Sequence, residues 1–178
     1  MKIIVRYSMR YLTAFLAIVL LNACGNMKEL ETVPKVDVQR YMGRWYEIAS
    51  FPQSFQKGCS CTIAEYELMD NGKVRVTNSC DANGKKKIAT GKAWVTDKAT
   101  NAKLKVSFFW PFSGKYWIID LADDYSYAVV GHPNRDYLWI LSRTPQVDKE
   151  LYQQIVDRAK AKGFDITRLQ VTRQDGCM

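Results

Sequence analysis

The residues that could do chemistry are few. His132 is the only histidine of the 178 residues, which speaks against a zinc site. Asp123 and Asp124 are adjacent, and neighbours on a strand or turn need not converge as paired catalytic carboxylates do. No Gly-x-Ser-x-Gly or P-loop pattern is present. Glu47 is the one carboxyl placed to enter an interior, where it would need a partner or a raised pKa. A polar contact at the closed end of a fold is the expected role. Cys59, Cys61, Cys80 and Cys177 can form two disulfides in three connectivities. Cys59-Ser60-Cys61 is Cys-x-Cys and not the redox Cys-x-x-Cys.

The fifth cysteine, Cys24, belongs to the address of the chain. Lys2, Arg6 and Arg10 form a basic start, and Tyr11 to Leu21 is an uncharged apolar run. That run is shorter than the roughly 20 residues that span a bilayer. Leu21-Asn22-Ala23-Cys24 then resembles a bacterial lipobox, which implies cleavage after residue 23 and acylation of Cys24. Residues 1–23 read as the signal peptide, and 24–35 as a lipidated polar tether. By resemblance to lipoprotein sorting signals, Gly25 after the cysteine, rather than Asp, implies the outer membrane. Acyl chains stabilise anchoring by about 0.8 kcal/mol per buried CH₂. The formal charge of +8 falls to +5 when the three leader cations are removed. Lys85-Lys86-Lys87 is the only basic run and sits at an expected hairpin, as a solvated turn or a contact with anionic head groups. No helix-turn-helix or zinc spacing points to nucleic acid.

Behind these residues stands a series of strands. Gly43-Arg44-Trp45-Tyr46-Glu47-Ile48-Ala49 opens it after a short helical turn over Val36 to Tyr41. Alternation puts Tyr46 and Ile48 on one face and Trp45, Glu47 and Ala49 on the other. Phe51 to Gly58 is too long for a tight hairpin, and Phe51 and Phe55 are candidates for a lid over a barrel mouth or for loop anchors. Strands follow over Cys61–Met69, Lys73–Cys80, Lys86–Thr96, Lys103–Phe109, Lys115–Leu121, Tyr125–His132 and Tyr137–Ser142. Asn71-Gly72 marks one tight turn, and Trp110 to Gly114 breaks the run after Phe109. Small Ala89, Gly91 and Ala93 alternate, leaving room on an inward face. Eight strands with short turns predict an all-β, up-and-down antiparallel barrel, with a β-sandwich as the alternative. A barrel of this size holds one small ligand. Asp148 caps one C-terminal helix, whose stripe Leu151, Tyr152, Ile155, Val156 and Ala159 is expected to pack on the wall. Gly163 stops it, and Leu169 to Thr172 is a last strand beside the barrel.

Gly-x-Trp-Tyr-Glu-Ile-Ala resembles the first signature of the lipocalins. Asp123 to Ala128 resembles their turn before the seventh strand, with Ala122 before the Asp and Tyr125 one residue late. Leu138-Trp139-Ile140-Leu141-Ser142-Arg143-Thr144-Pro145 resembles their last barrel strand with its arginine. The resemblance spans nearly all of the chain after Cys24, so 36–178 is expected to be one lipocalin domain of the bacterial outer-membrane and apolipoprotein D-like kind.

The resemblance implies a fold device in which Arg143 lies across Trp45, with Gly43 and Asp123 as further structural positions. It implies a carrier of a fatty acid or lysophospholipid, anchored through Cys24 on the periplasmic side of the outer membrane, with no catalysis, cofactor or metal. A homodimer is compatible with it. Inward parity then gives the candidate lining: Ala64, Tyr66, Val76, Asn78, Ala93, Val106, Phe108, Tyr116, Val130 and Trp139. Other functions within the family remain as alternatives: an enzyme acting on a lipid, which needs a free reactive cysteine, and a haem carrier with His132 as axial ligand. In apolipoprotein D-like chains a cysteine at the place of Cys61 is joined to one after a Val-Thr-x-Gln segment. By that resemblance Cys61 pairs with Cys177, and Cys59 with Cys80.

Overall fold

The computed structural model describes residues 28–177. The expected leader and the expected acylation position, Cys24, lie outside them. Eight strands form the barrel: β1 (Gly43–Ser50), β2 (Cys59–Leu68), β3 (Val74–Ala82), β4 (Lys85–Val95), β5 (Lys103–Phe109), β6 (Phe112–Leu121), β7 (Tyr127–Gly131) and β8 (Leu138–Ser142). Each pairs antiparallel with the next, and β1 pairs with both β2 and β8, which closes the ring. Closure pairs every strand on both sides, except where β4 before Lys92 and β6 before Trp117 run past their neighbours β5 and β7 at the rim. A four-residue helix, α1 (Val38–Tyr41), precedes the barrel. Helix α2 (Lys149–Ala161) and the two-residue β9 (Gln170–Val171) follow it.

The strands alternate up and down, so their turns sort to two ends. The turns after β2, β4 and β6 share one end with α1, Trp45 and Arg143. The turns after β1, β3, β5 and β7 share the other end, the mouth.

Two packed layers hold the chain together. Inside the barrel lie Val36, Tyr41, Trp45, Tyr66, Val74, Val76, Ala93, Leu104, Ile118, Val130 and Leu141. Outside the wall, Ile119, Val129, Leu138 and Ile140 meet Ile155, Val156 and Ala159 of α2. The helix begins where the Asp148 carboxylate accepts from the Glu150 and Leu151 amides at 2.8 and 3.3 Å. Arg158 ties it to the wall by donating to Asp120 Oδ2 at 2.7 Å and Tyr127 Oη at 2.8 Å.

Several expectations are corrected. Ala49 does not share the face of Trp45 and Glu47. A β-bulge between Glu47 and Ala49 shifts the phase, so Ile48 and Ala49 both join the outer layer. The break over Trp110 to Gly114 shrinks to two residues, because Phe109 pairs with Phe112 and Ser107 Oγ donates to the Phe112 carbonyl. The seventh strand starts at Tyr127, not Tyr125. Tyr125 takes a positive φ of 65° in the turn, and its hydroxyl accepts from the Asp37 amide. Residues 28–35 are not a loose polar tether. Leu30 is buried against the wall, and the Val33 amide donates to the Ile118 carbonyl at 3.0 Å.

Candidate functional site

The closed end is built on Trp45. Its ring is fully buried, and Nε1 donates to the Tyr41 carbonyl at 2.8 Å. The Arg143 guanidinium lies 3.8 Å from the ring centroid and donates to the carbonyls of Arg40 at 2.7 Å and Arg44 at 2.8 Å. Gly43 carries a φ of +92°, which disfavours any side chain, and a Cβ there would come to 3.4 Å from Arg143. The Asp123 carbonyl accepts from Arg40, whose guanidinium stacks on Tyr125 at 4.1 Å. α1, β1, β8 and the turn after β6 are thereby pinned together.

Above Trp45 lies a layer of three tyrosines. Tyr116 Oη shares hydrogen bonds with Tyr41 Oη at 2.8 Å and Tyr66 Oη at 2.9 Å. Burial pushes all three phenols up, Tyr66 to about 12 and the other two well above the ordinary tyrosine range. The layer is therefore neutral at physiological pH. The void among these rings and Val74, Ala93, Leu104 and Ile118 is only about 20 Å³, enough for one water and not for an acyl chain.

Toward the mouth the interior opens. Register places Ala64, Asn78 and Ala89 across from one another on the inner face, and Val106 across from Gly114. Ala89 and Gly114 are exposed, and a Cβ on Gly114 would have no neighbour within 4 Å. Gly91 is different, since a Cβ there would lie 2.5 Å from the Ser107 carbonyl and 2.8 Å from Phe108. Phe108 sits over Gly91 and is half-exposed. Trp139 reaches inward from β8 and donates to Gln56 at 3.4 Å. The structure thus puts Ala64, Asn78, Phe108 and Trp139 around the open upper part, with Val106 and Tyr116 at its base. Tyr66, Val76 and Ala93 lie in the filled lower part, and Val130 is buried across from Trp139. Asn78 Oδ1 is a buried acceptor with no protein partner.

Glu47 is not a closed-end contact. The β1–β2 ladder ends at Tyr46–Ile63, and Glu47 lies beyond it toward the mouth. There its carboxylate accepts from Ser50 Oγ at 3.0 Å, Gln56 Nε2 at 2.8 Å and Thr172 Oγ1 at 2.6 Å. The C-terminal tail fills this seam. β9 pairs with β1, the Cys61 amide donates to the Arg173 carbonyl, and Gln174 Nε2 bridges the carbonyls of Glu47 and Thr62 at 2.8 and 2.9 Å. Leu169 to Thr172 is expected beside the barrel, and β9 lies there; its role as a wedge has no local signal in the sequence. Disulfides join Cys61 to Cys177 and Cys59 to Cys80, each with a Cα separation of 5.5 Å. A cleft of about 420 Å³ remains between the tail and residues 52–58.

Neither phenylalanine forms a lid. Phe51 is fully buried outside the barrel, 6.2 Å from Phe164, and anchors the loop, whereas Phe55 is exposed. His132 lies in the turn after β7, bonded to Asn134 and edge-on to Tyr137.

Residues 36–174 match the lipocalin-like domain family. The chain belongs to the lipocalins. This lipocalin is 40% identical over 170 residues to the outer membrane lipoprotein Blc of Vibrio cholerae, covering 93% of this chain and 99% of the relative. It is 46% identical over 156 residues to temperature-induced lipocalin-1 of Arabidopsis thaliana, covering 83% and 84%. Mouse apolipoprotein D is 38% identical over 152 residues, covering 79% and 78%. Insecticyanin of Manduca sexta has the same fold, with a TM-score of 0.67 at 24% identity over 83% of this lipocalin and 86% of insecticyanin. Among the described residues no helix is long and apolar enough to cross a membrane.

Proposed function

We propose that this lipocalin is an outer-membrane lipoprotein, acylated at Cys24, that carries one fatty acid or lysophospholipid for envelope maintenance. The observation that carries the reading is a barrel sealed by Trp45 and Arg143 at one end and open at the other. Its upper interior is lined by Ala64, Phe108, Gly114 and Trp139. In this reading a single acyl chain enters there, its methyl end stopping at Tyr66 and Tyr116 because the void below is only about 20 Å³. Asn78 Oδ1 offers an acceptor to a donor group of the ligand. The chemistry is binding, and no bond is made or broken.

The similarity to Blc supports the outer-membrane address, and the lipobox-like Leu21 to Cys24 supports the anchor. The test of the cargo is native mass spectrometry of protein extracted without added lipid, paired with Gly114→Trp. The variant should keep its far-UV spectrum and bind an acyl-chain probe at least about tenfold more weakly. Unchanged probe affinity, with no co-purified lipid, would sink the proposal. For the anchor, Cys24→Ser should release the protein from membranes or leave its precursor uncleaved. A variant that is cleaved normally and still pellets with outer membrane would refute acylation there.

A further inference from the structure

The mouth carries apolar side chains that the fold does not use. At the β5–β6 tip Phe109, Trp110 and Phe112 are 74%, 83% and 71% exposed, and Phe109 and Phe112 stack only on each other at 6.4 Å. Ile88 on the adjacent β3–β4 hairpin is also exposed. These hairpins overhang the rest of the rim. β6 runs from Phe112, yet it pairs with β7 only from Trp117 onward. β4 runs from Lys85, yet it pairs with β5 only from Lys92 onward. Lys85, Lys86 and Lys87 stand exposed on the same overhang. An exposed cluster of aromatic residues flanked by lysines fits an interface that is apolar below and anionic above.

The course of the N-terminal segment points the same way. The Val36 amide donates to the Thr100 carbonyl at the closed end, and the Val33 amide to Ile118 in mid-wall. Arg135, in the turn after β7 at the mouth, donates to the Lys28 carbonyl. The segment therefore climbs the wall from base to mouth when followed backward. Cys24 is four residues from Lys28, a span of at most about 14 Å.

We infer that the mouth of the barrel faces an anionic lipid bilayer, with Phe109, Trp110 and Phe112 set among the head groups and Lys85–Lys87 on their phosphates. The acyl anchor at Cys24, where this rests on the proposed function, is tethered within about 14 Å of Lys28 at that end and so holds the opening against the leaflet that carries it. A lipid then passes between leaflet and barrel with little exposure of its chain to water. The lysine run disfavours a second copy of the same chain as the occupant and favours an anionic surface.

The test uses the mature chain from residue 24 with Cys24→Ser, so that docking is read without acylation. It is mixed with vesicles of equal parts phosphatidylglycerol and phosphatidylcholine carrying brominated acyl chains. Tryptophan quenching is expected, and Trp110→Phe should remove most of it while binding persists. Replacing Lys85, Lys86 and Lys87 with Gln should weaken binding about a hundredfold. The triple variant Phe109→Ser, Trp110→Ser, Phe112→Ser should abolish it with an unchanged far-UV spectrum. Quenching that survives Trp110→Phe, or equal binding to pure phosphatidylcholine, overturns the orientation. So does a dimer in sedimentation that Trp110→Ser dissociates, if the vesicles give no quenching. Mass spectrometry of wild type reads acylation separately. Docking without acylation would refute the anchor alone, and acylation without docking would refute this inference alone.

Discussion

The Arg143 guanidinium covers the face of Trp45 at 3.8 Å and spends its donors on two backbone carbonyls of the chain that leads into β1. One side chain thus serves as the outer cover of the core and as a staple between β8 and the α1–β1 corner. Burial lowers its pKa, yet it stays charged at any physiological pH.

Arg143→Ala should therefore cost about 1–2 kcal/mol, from the lost cation–π contact and the packing of the stem. Arg143→Lys should recover only part of this, because an ammonium cannot reach both carbonyls from a planar fork. Urea midpoints measure it. Midpoints that stay put in both Arg143→Ala and Trp45→Ala would remove the pair from the account of stability.

The tyrosine layer gives a pH dependence with a definite sign. Tyr66 keeps its proton in the folded state up to about 12, against an ordinary value of 10.0. Below pH 10 both states hold the proton and the full stability is present. Above it the unfolded chain ionises first, so stability falls as pH rises through about 12. Tyr41 and Tyr116 act in the same direction. Absorbance at the phenolate band of the mature chain should show three of its eight tyrosines ionising last and together with loss of tertiary structure. Titration of all eight below pH 11 in a folded protein would contradict a sealed layer.

Two glycines of the inner face should respond oppositely to a methyl group. A Cβ on Gly91 would press on backbone, the Ser107 carbonyl at 2.5 Å, which cannot swing away as a side chain can. Gly91→Ala should cost about 1–3 kcal/mol and displace Phe108. Gly114→Ala meets nothing and should lie within about 0.5 kcal/mol of wild type. Equal thermal shifts in the two variants would mean that β4 and β5 are not in this close register.

Much of the barrel is readable along the chain because period-two alternation is strong where one face is buried and the other wet. Leu104 and Val106 against Lys103 and Lys105 define β5 with its observed limits, Lys103–Phe109. Asp148 and Gly163 bracket α2 because caps are local chemistry. The bulge after Glu47 is not readable, since Ile48-Ala49 carries no side chain that forces an extra residue. The wedge made by Thr172 and Gln174 also escapes, because their partners Glu47 and Thr62 lie more than a hundred residues away. Parity puts Tyr66, Val76 and Ala93 inside, but parity says nothing about how much of the inside is already filled. That depends on Val36, Tyr41 and Met42 entering from the corner before β1.

The tail is the element most open to perturbation. It completes the seam where β1 and β2 part, and it is held by three kinds of bond. The Cys61–Cys177 disulfide closes a loop of 116 residues, for which the chain-entropy relation gives about 4–5 kcal/mol. Gln174 satisfies two buried carbonyls, and Thr172 donates to the buried Glu47 carboxylate. Cys177→Ser removes only the first, so the seam should stay closed in the native state while the urea midpoint drops. Gln174→Leu removes the second and leaves the Glu47 and Thr62 carbonyls buried without donors, at about 1–3 kcal/mol. Combined, the two should cost more than either, and amide exchange should rise first at Ser50 and Cys61, which face Gln170 and Arg173 of the tail. Cys59→Ser should leave the tail in place, because the Cys59–Cys80 bridge spans 21 residues within the β2–β3 hairpin. If Gln174→Leu is neutral and exchange at Cys61 is unchanged in the double variant, the tail is a passive cover and the β1–β2 seam is closed by other means.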